Sequence, residues 1–123
     1  MPTNHYKIVL PGYLNDYGGL FGGYLLQWVD EIGYIAVSLE FPGQHFVTIG
    51  LDNVEFRHRI EEGQILRFAC TQKRMGKTSV TYKVQVFGER YHSQEPETVL
   101  FETNITFVCV DAQGNKTAIA INK

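Results

Sequence analysis

Cysteine is nearly absent. The two that occur, Cys70 and Cys109, sit in strand-like runs without metal-ligand spacing. They read as buried free thiols, because a nucleophilic thiolate needs a base and an electropositive setting that their neighbours do not supply. His5, His45, His58 and His92 form no HxxxH or similar pair, so no metal site is expected. No uncharged apolar run approaches the roughly 18 residues of a membrane span. The stretch from Met1 to Lys7 has no apolar signal core, so the expectation is a cytoplasmic protein with no membrane partner. An excess of positive charge is missing too: 11 Lys and Arg stand against 13 Asp and Glu, a net charge of -2 that gives no reason to expect nucleic acid. Internal repeats, low-complexity segments and linkers are also lacking, so one domain over residues 1–123 is expected. A chain of that size holds one core but is too small to bury an active site deep within itself, which makes a site shared between subunits attractive.

What is present is a glycine-rich turn running into an apolar helix that contains an acid. Leu25, Val29, Ile32, Ala36 and Leu39 follow the spacing of a helical face, which predicts a helix from Gly22 to Glu40. Gln27, Glu31, Tyr34 and Ser38 make a narrow polar stripe. Asp30 falls beside that stripe, with Leu26, Gly33 and Val37. A carboxylate among apolar neighbours loses solvation, which favours its neutral form unless a donor or charge compensates. Glu31, on the stripe, reads as solvated.

The rest of the chain reads as strands. His5 to Leu10 is a short one, ended by Pro11-Gly12. After Pro42-Gly43 stops the helix, Val47, Ile49 and Leu51 alternate with Thr48 and Gly50, while Val54 and Phe56 carry the apolar face on even numbers. That change of parity predicts a β-bulge at Asp52-Asn53. Strands follow at Gln64 to Met75, Thr78 to Gly88 and Thr98 to Val110, separated by a turn at Gly76-Lys77 and a polar loop from Glu89 to Glu97. The tail from Ala118 is expected to fray or dock. One helix must therefore serve about five antiparallel strands, and a strongly curved sheet wrapped around it solves that.

This order, with Asn15, Gly18, Phe21-Gly22-Gly23 and Asp30, then Phe56 before Gly63, Gly76-Lys77-Thr78-Ser79, and Phe107-Val108 before Asp111 and Gly114, resembles the hotdog-fold acyl-CoA thioesterases over nearly the whole chain. Two departures stand out: Arg59 where many relatives have Pro before the Gly63 turn, and Tyr17 where a charged or polar residue usually precedes Gly18. The resemblance implies an α+β hotdog fold, a curved antiparallel sheet around one long central helix. It also implies hydrolysis of acyl-CoA to free acid and CoA. Asp30 would be the general base, or a nucleophile through an anhydride, and Asn15 would orient water or thioester. The Gly22 and Gly23 amides at the helix start would polarise the carbonyl. In the family the Asn and the Asp of one site come from different subunits, so at least a homodimer is implied, with a trimer of dimers suggested. No cofactor is implied, since CoA is part of the substrate.

For the CoA moiety the cations Arg57, His58, Arg59, Lys73, Arg74 and Lys77 flank two turns, and Gly76, Lys77, Thr78 and Ser79 form the best binding turn. That turn lacks the spacing of a P-loop. Tyr13, Tyr17, Tyr24, Trp28 and Phe46 could line an acyl tunnel, although aromatic residues near a helix start are more often core. Two other readings remain: a non-catalytic acyl-thioester sensor, and a hydratase of the same architecture. No His follows Asp30 before His45, which weakens the hydratase reading.

Overall fold

Nineteen residues, Gly22–Glu40, form the helix α1, with the bounds the apolar spacing predicts. In this computed structural model residues 3–89 and 98–121 are described; the Glu89 to Glu97 loop expected from the sequence falls, apart from Glu89, outside them. The strands are β1 (Thr3–Ile8), β2 (His45–Phe56), β3 (Ile65–Met75), β4 (Ser79–Glu89) and β5 (Val99–Val110). They pair antiparallel in the order β1-β3-β4-β5-β2, so β1 and β2 are the edges. This is the expected α+β architecture of one helix against a five-stranded sheet.

The helix lies against the inner face of the sheet and touches β2, β3, β4 and β5. Leu25, Trp28, Val29, Ile32, Gly33, Ala36 and Val37 are buried there, against Leu66, Phe68, Val84, Phe101, Ile105 and Phe107. Gly33 is the point of closest approach: a Cβ there would stand 3.0 Å from Phe107 Cζ and 3.2 Å from Ile105 Cγ2. Even an alanine there would require the Phe107 and Ile105 side chains to give by a few tenths of an ångström. Tyr13 and Phe68 meet the Trp28 ring edge to face, Tyr24 lies tilted against Tyr13 and Trp28, and Phe46 packs on Phe41, so these rings form or line the core and, of the five candidate tunnel rings, only Tyr17 is left exposed.

Two expectations about faces are corrected. Leu39, placed on the apolar face by spacing, is 73% exposed. At the start of β2 the alternation reads inside out: Phe46 is buried and Thr48 half-buried, while Val47 and Ile49 are exposed; beyond the first register shift Leu51 turns inward as expected, but Val54 and Phe56, expected to carry the apolar face, are exposed. Phe46 decides this, because its ring docks on Phe41 and commits the even positions at the start of the strand to the helix side. The predicted bulge is present as a register shift between Asp52 and Glu55, with Asn53 at φ 50, and a second shift lies between Thr48 and Gly50.

The chain beyond β5 docks. Gln44 donates its amide to the Ala120 carbonyl and accepts from the Ala120 N–H, each at 2.8 Å, and the Ile119 N–H reaches the Lys77 carbonyl. At the end of α1, Tyr82 donates to Glu40, and the Gln72 amide, turned to donate, reaches both Glu40 oxygens at 2.9 and 3.0 Å. These donors offset the mismatch of a carboxylate at the negative end of a helix dipole. Both cysteines are free and buried; burial, with the Glu40 charge, pushes the Cys70 thiol up to about 12, so it is inert at neutral pH. No helix among the described residues is long and apolar enough to cross a membrane.

Candidate functional site

The loop before α1 is a small hairpin closed by pairing of Leu14 with Leu20 and hooked to the Ile60–Glu61 segment through Gly19 and Leu20. Asn15 organises it. Its Oδ1 accepts from the N–H groups of Tyr17 (2.9 Å) and Gly19 (3.1 Å), while its backbone N–H and C=O close the turn with Gly19 and Gly18. Gly18 lies at φ 81, a conformation that side chains strain to adopt. Because the two N–H donors settle which amide atom is oxygen, only Nδ2 of Asn15 remains without a partner among the described residues. The side chain thus offers a donor, not the choice of donor or acceptor expected from its type.

At the first turn of α1 no side chain caps the helix and no acid sits there; the Gly22 and Gly23 N–H groups have no acceptor among the described residues. Two exposed rings flank them. A Cβ at Gly23 would come within 2.7 Å of the Phe21 ring, and one at Gly22 within 3.5 Å of Phe56. Free amides at the positive end of a helix, walled by apolar rings, suit an oxygen that gains negative charge.

Asp30 is exposed in the protomer, on the open side of the helix with Gln27, Glu31 and Tyr34; the expected desolvation by its own chain is not found. The apolar residues of its stripe, Gly33 and Val37, lie further round toward the sheet. Instead Asp30 has a dedicated partner: Thr48 Oγ1 on β2 donates to Asp30 Oδ1 at 2.6 Å, leaving Oδ2 without a partner among the described residues. The alternation within β2 places Thr48 on the outer face, so the sequence pattern does not mark it as a site residue. The available signal was a hydroxyl two residues from the buried Phe46, on the same face.

Within one protomer these parts do not meet. Asp30 lines a shallow depression with Gln27, Glu31, Tyr34, Phe46, Val47 and Thr48. Asn15 lines a groove of about 260 Å³ with Phe56, Arg57, His58, Arg59 and Ile60. The two share no residue. Along the helix axis Asp30 is about 10 Å from Gly23 at 1.5 Å per residue, so a carbonyl bound at the helix start is out of its reach.

The cations form separate groups. Arg57, His58 and Arg59 follow β2, beside the start of β5. The turn Gly76, Lys77, Thr78 and Ser79 joins β3 to β4 at the opposite end of the sheet, about 30 Å away by the rise of a strand. Lys73 sits at a bulge in β3 and lines a third depression with Asn53, Glu55, Lys83, Glu102, Thr103 and Asn104. Arg57 is engaged by Glu55 (3.0 Å) and Glu102 (3.1 Å), the hydrogen bond with Glu55 holding the guanidinium even more firmly protonated. Burial pushes the Glu102 carboxyl up, but the Gln85 hydrogen bond and the charges of Lys83 and Arg57 outweigh it and bring it below the usual range. Arg59 donates to the Tyr17 carbonyl. His58, Lys73, Arg74 and Lys77 take part in no ion pair among the described residues. In the turn, the Gly76 N–H bonds the Ser79 carbonyl, and the Thr78 carbonyl accepts from Cys109.

Comparison with known proteins places this geometry. The family model described as the thioesterase superfamily matches residues 17–92. The acyl-CoA thioester hydrolase YciA of Escherichia coli is 27% identical over 125 residues, covering 93% of this chain and 87% of that protein. The acyl-coenzyme A thioesterase 11 of Mus musculus is 29% identical over 93 residues, 76% of this chain but 16% of its own length. This chain likewise spans 50% of the Helicobacter pylori protein VdlD, at 28% identity over 72% of this chain. Among solved structures, a hexameric hotdog fold thioesterase of Campylobacter jejuni superposes with a TM-score of 0.81 at 29% identity, over 94% of this chain and 88% of that one. An acyl-CoA hydrolase from Staphylococcus aureus, in complex with butyryl coenzyme A and coenzyme A, gives a TM-score of 0.87 at 25% identity, over 96% and 71%. With the helix-on-sheet topology described above, these matches show that the chain belongs to the thioesterase superfamily and has its hotdog fold.

Proposed function

We propose that this chain hydrolyses acyl-CoA thioesters to the free acid and CoA, at a site completed by a second copy of itself. The observation that carries this reading is the separation of Asp30 from the groove of Asn15 and the open amides of Gly22 and Gly23. A general base must reach the attacking water while the oxyanion donors touch the same carbonyl, and one helix cannot present both to one thioester.

The edge strand β2 supplies the missing geometry. Thr48 lies toward one end of it and the Asn15 groove adjoins the other, at Phe56. Antiparallel pairing of β2 with its copy, about a two-fold axis near Leu51 and Asp52, sets the Thr48 end of one strand beside the Phe56 end of the other. Asp30 of one protomer then faces Asn15, Gly22 and Gly23 of the partner subunit. Exposed apolar residues along this edge, Ile49 at 58% and Phe56 at 56%, support the pairing, since a long uncovered apolar edge associates in water. The same two-fold axis brings the Gly76–Ser79 end of one protomer to the side of the partner's His58, where one CoA can use both. The Campylobacter relative is hexameric, and a trimer of such dimers is the larger assembly to test.

In this site Asp30 Oδ2 takes a proton from water as the water oxygen bonds to the thioester carbon. The carbonyl electrons move to oxygen, which accepts from the Gly22 and Gly23 amides, and Asn15 Nδ2 donates to the reacting oxygens. Collapse of the tetrahedral intermediate breaks the carbon–sulfur bond, and the CoA thiolate leaves with the proton held by Asp30. Water and protein groups suffice, with no cofactor. A thiol-release assay across acyl-CoA chain lengths tests the reading: turnover is expected for wild type and its loss for Asp30→Asn. Full turnover in that variant, or tight acyl-CoA binding with no release by wild type, would overturn it, the latter in favour of a sensor.

A further inference from the structure

We propose that Arg59 is a positioning residue that holds Asn15 ready for the hydrolysis proposed above; its effect on turnover rests on that reading, whereas its hold on the loop does not. Arg59 donates from Nη2 to the Tyr17 carbonyl at the tip of the Asn15 hairpin. Its side chain lies flat along the glycines of that hairpin: a Cβ at Gly18 would be 3.1 Å from Nη2, and one at Gly19 would be 3.2 Å from Nε and 3.4 Å from Cγ. Tyr17 in turn places its N–H on Asn15 Oδ1. The chain of contacts therefore runs from guanidinium to Tyr17 peptide to Asn15 amide, the group that faces the thioester.

Other ties to the rest of the chain hold only the base of the hairpin, where Gly19 pairs with Glu61 and Leu20 bonds the Ile60 carbonyl. Among the described residues Arg59 alone reaches the tip by a hydrogen bond from outside the hairpin, and a charged donor is stronger than a neutral one. Tyr17 and Arg59 are thus bonded to each other. The arrangement also removes Arg59 from the list of free phosphate ligands, because the nitrogen nearest the hairpin is already spent on it.

The test compares wild type with Arg59→Ala by hydrogen exchange over residues 15–19 and by thiol release from an acyl-CoA that wild type hydrolyses. Exchange is expected to quicken about tenfold or more in the hairpin and not in β3 or β4. Turnover should drop between about tenfold and a hundredfold in kcat, with KM within about twofold, the signature of a misplaced group. Unchanged exchange overturns the clamp. Faster exchange with wild-type kcat overturns its role in placing Asn15, and a rise in KM alone makes Arg59 a substrate ligand instead. If Arg59→Ala does not fold, Arg59→Met gives the same readout, since it keeps an apolar stem along Gly19 and removes the guanidinium that donates to the Tyr17 carbonyl. Should wild type hydrolyse no acyl-CoA at all, the functional reading fails and the exchange data still decide the clamp.

Discussion

Thr48, toward the start of the uncovered edge strand, donates its hydroxyl to Asp30 on the central helix at 2.6 Å. This bond ties the orientation of the carboxylate to the strand through which a second protomer is expected to pair. It holds Oδ1 and leaves Oδ2 to act as base.

Removing the hydroxyl should therefore loosen the base without abolishing it. Thr48→Val is expected to lower kcat about tenfold and Asp30→Asn by about a hundredfold or more, the usual worth of a positioned general base. Thr48→Ser should stay near wild type. Thiol release measures all three, and wild-type kcat in Thr48→Val would remove Thr48 from the mechanism.

Asn15 has two separable duties, which Asp and Ala divide. Asn15→Asp keeps an oxygen for the Tyr17 and Gly19 N–H groups but loses the Nδ2 donor and adds charge. Its melting temperature should stay close to wild type while turnover falls about a hundredfold. Asn15→Ala loses the hairpin bonds as well and should also cost about 1 kcal/mol of stability per bond at most. Equal turnover in Asn15→Asp and wild type would show that the amide is not used.

A site shared across a two-fold axis predicts complementation. Asn15→Ala and Asp30→Asn homodimers are each expected to be inactive. Random mixing of the two makes half the dimers mixed, and each mixed dimer contains one site with both native residues. Activity should return to about a quarter of wild type after mixed refolding or co-expression. No recovery, with exchange of subunits verified by mass, would place both residues of the site in one chain.

Acid stability should report Glu102. Its carboxyl ionises more readily in the folded than in the unfolded chain, because Gln85, Lys83 and Arg57 overcome the opposing effect of burial. In acid the unfolded state therefore binds more protons, so stability rises with pH through the carboxylate range. The contribution is fully present above the unfolded value of about 4.3 and is lost as pH falls through the lower folded value. Glu102→Gln should flatten the acid limb of stability against pH, measured by urea unfolding between about pH 3 and 6. An acid limb of unchanged slope would show that the pairing does not stabilise the fold.

How far the site can be read from the chain is clearest at Asp30. Its place on a helix beginning at Gly22-Gly23 follows from spacing alone, and so does its difference from Glu31 in the helical wheel. Its surroundings do not follow. The wheel predicts a margin among Leu26, Gly33 and Val37, but the sheet covers only the far side of that margin, and Asp30 is left open beside Thr48.

The local patterns determined what local physics governs: the span of α1, the extent of β4, the turn at Gly76-Lys77 and the bulge at Asp52-Asn53. Each depends on hydrogen bonds or steric limits between residues close in sequence. Tertiary structure alone decided the rest. The pairing order β1-β3-β4-β5-β2 left β2 at an edge, and the docking of Phe46 on Phe41 turned Thr48 toward the helix, which no alternation within β2 could reveal. That order also parted Arg57, His58 and Arg59 from Gly76–Ser79 and brought Arg59 onto Tyr17, 42 residues away. Contacts between distant segments have no period in the sequence, because they are set by which faces bury together and not by the geometry of any one segment.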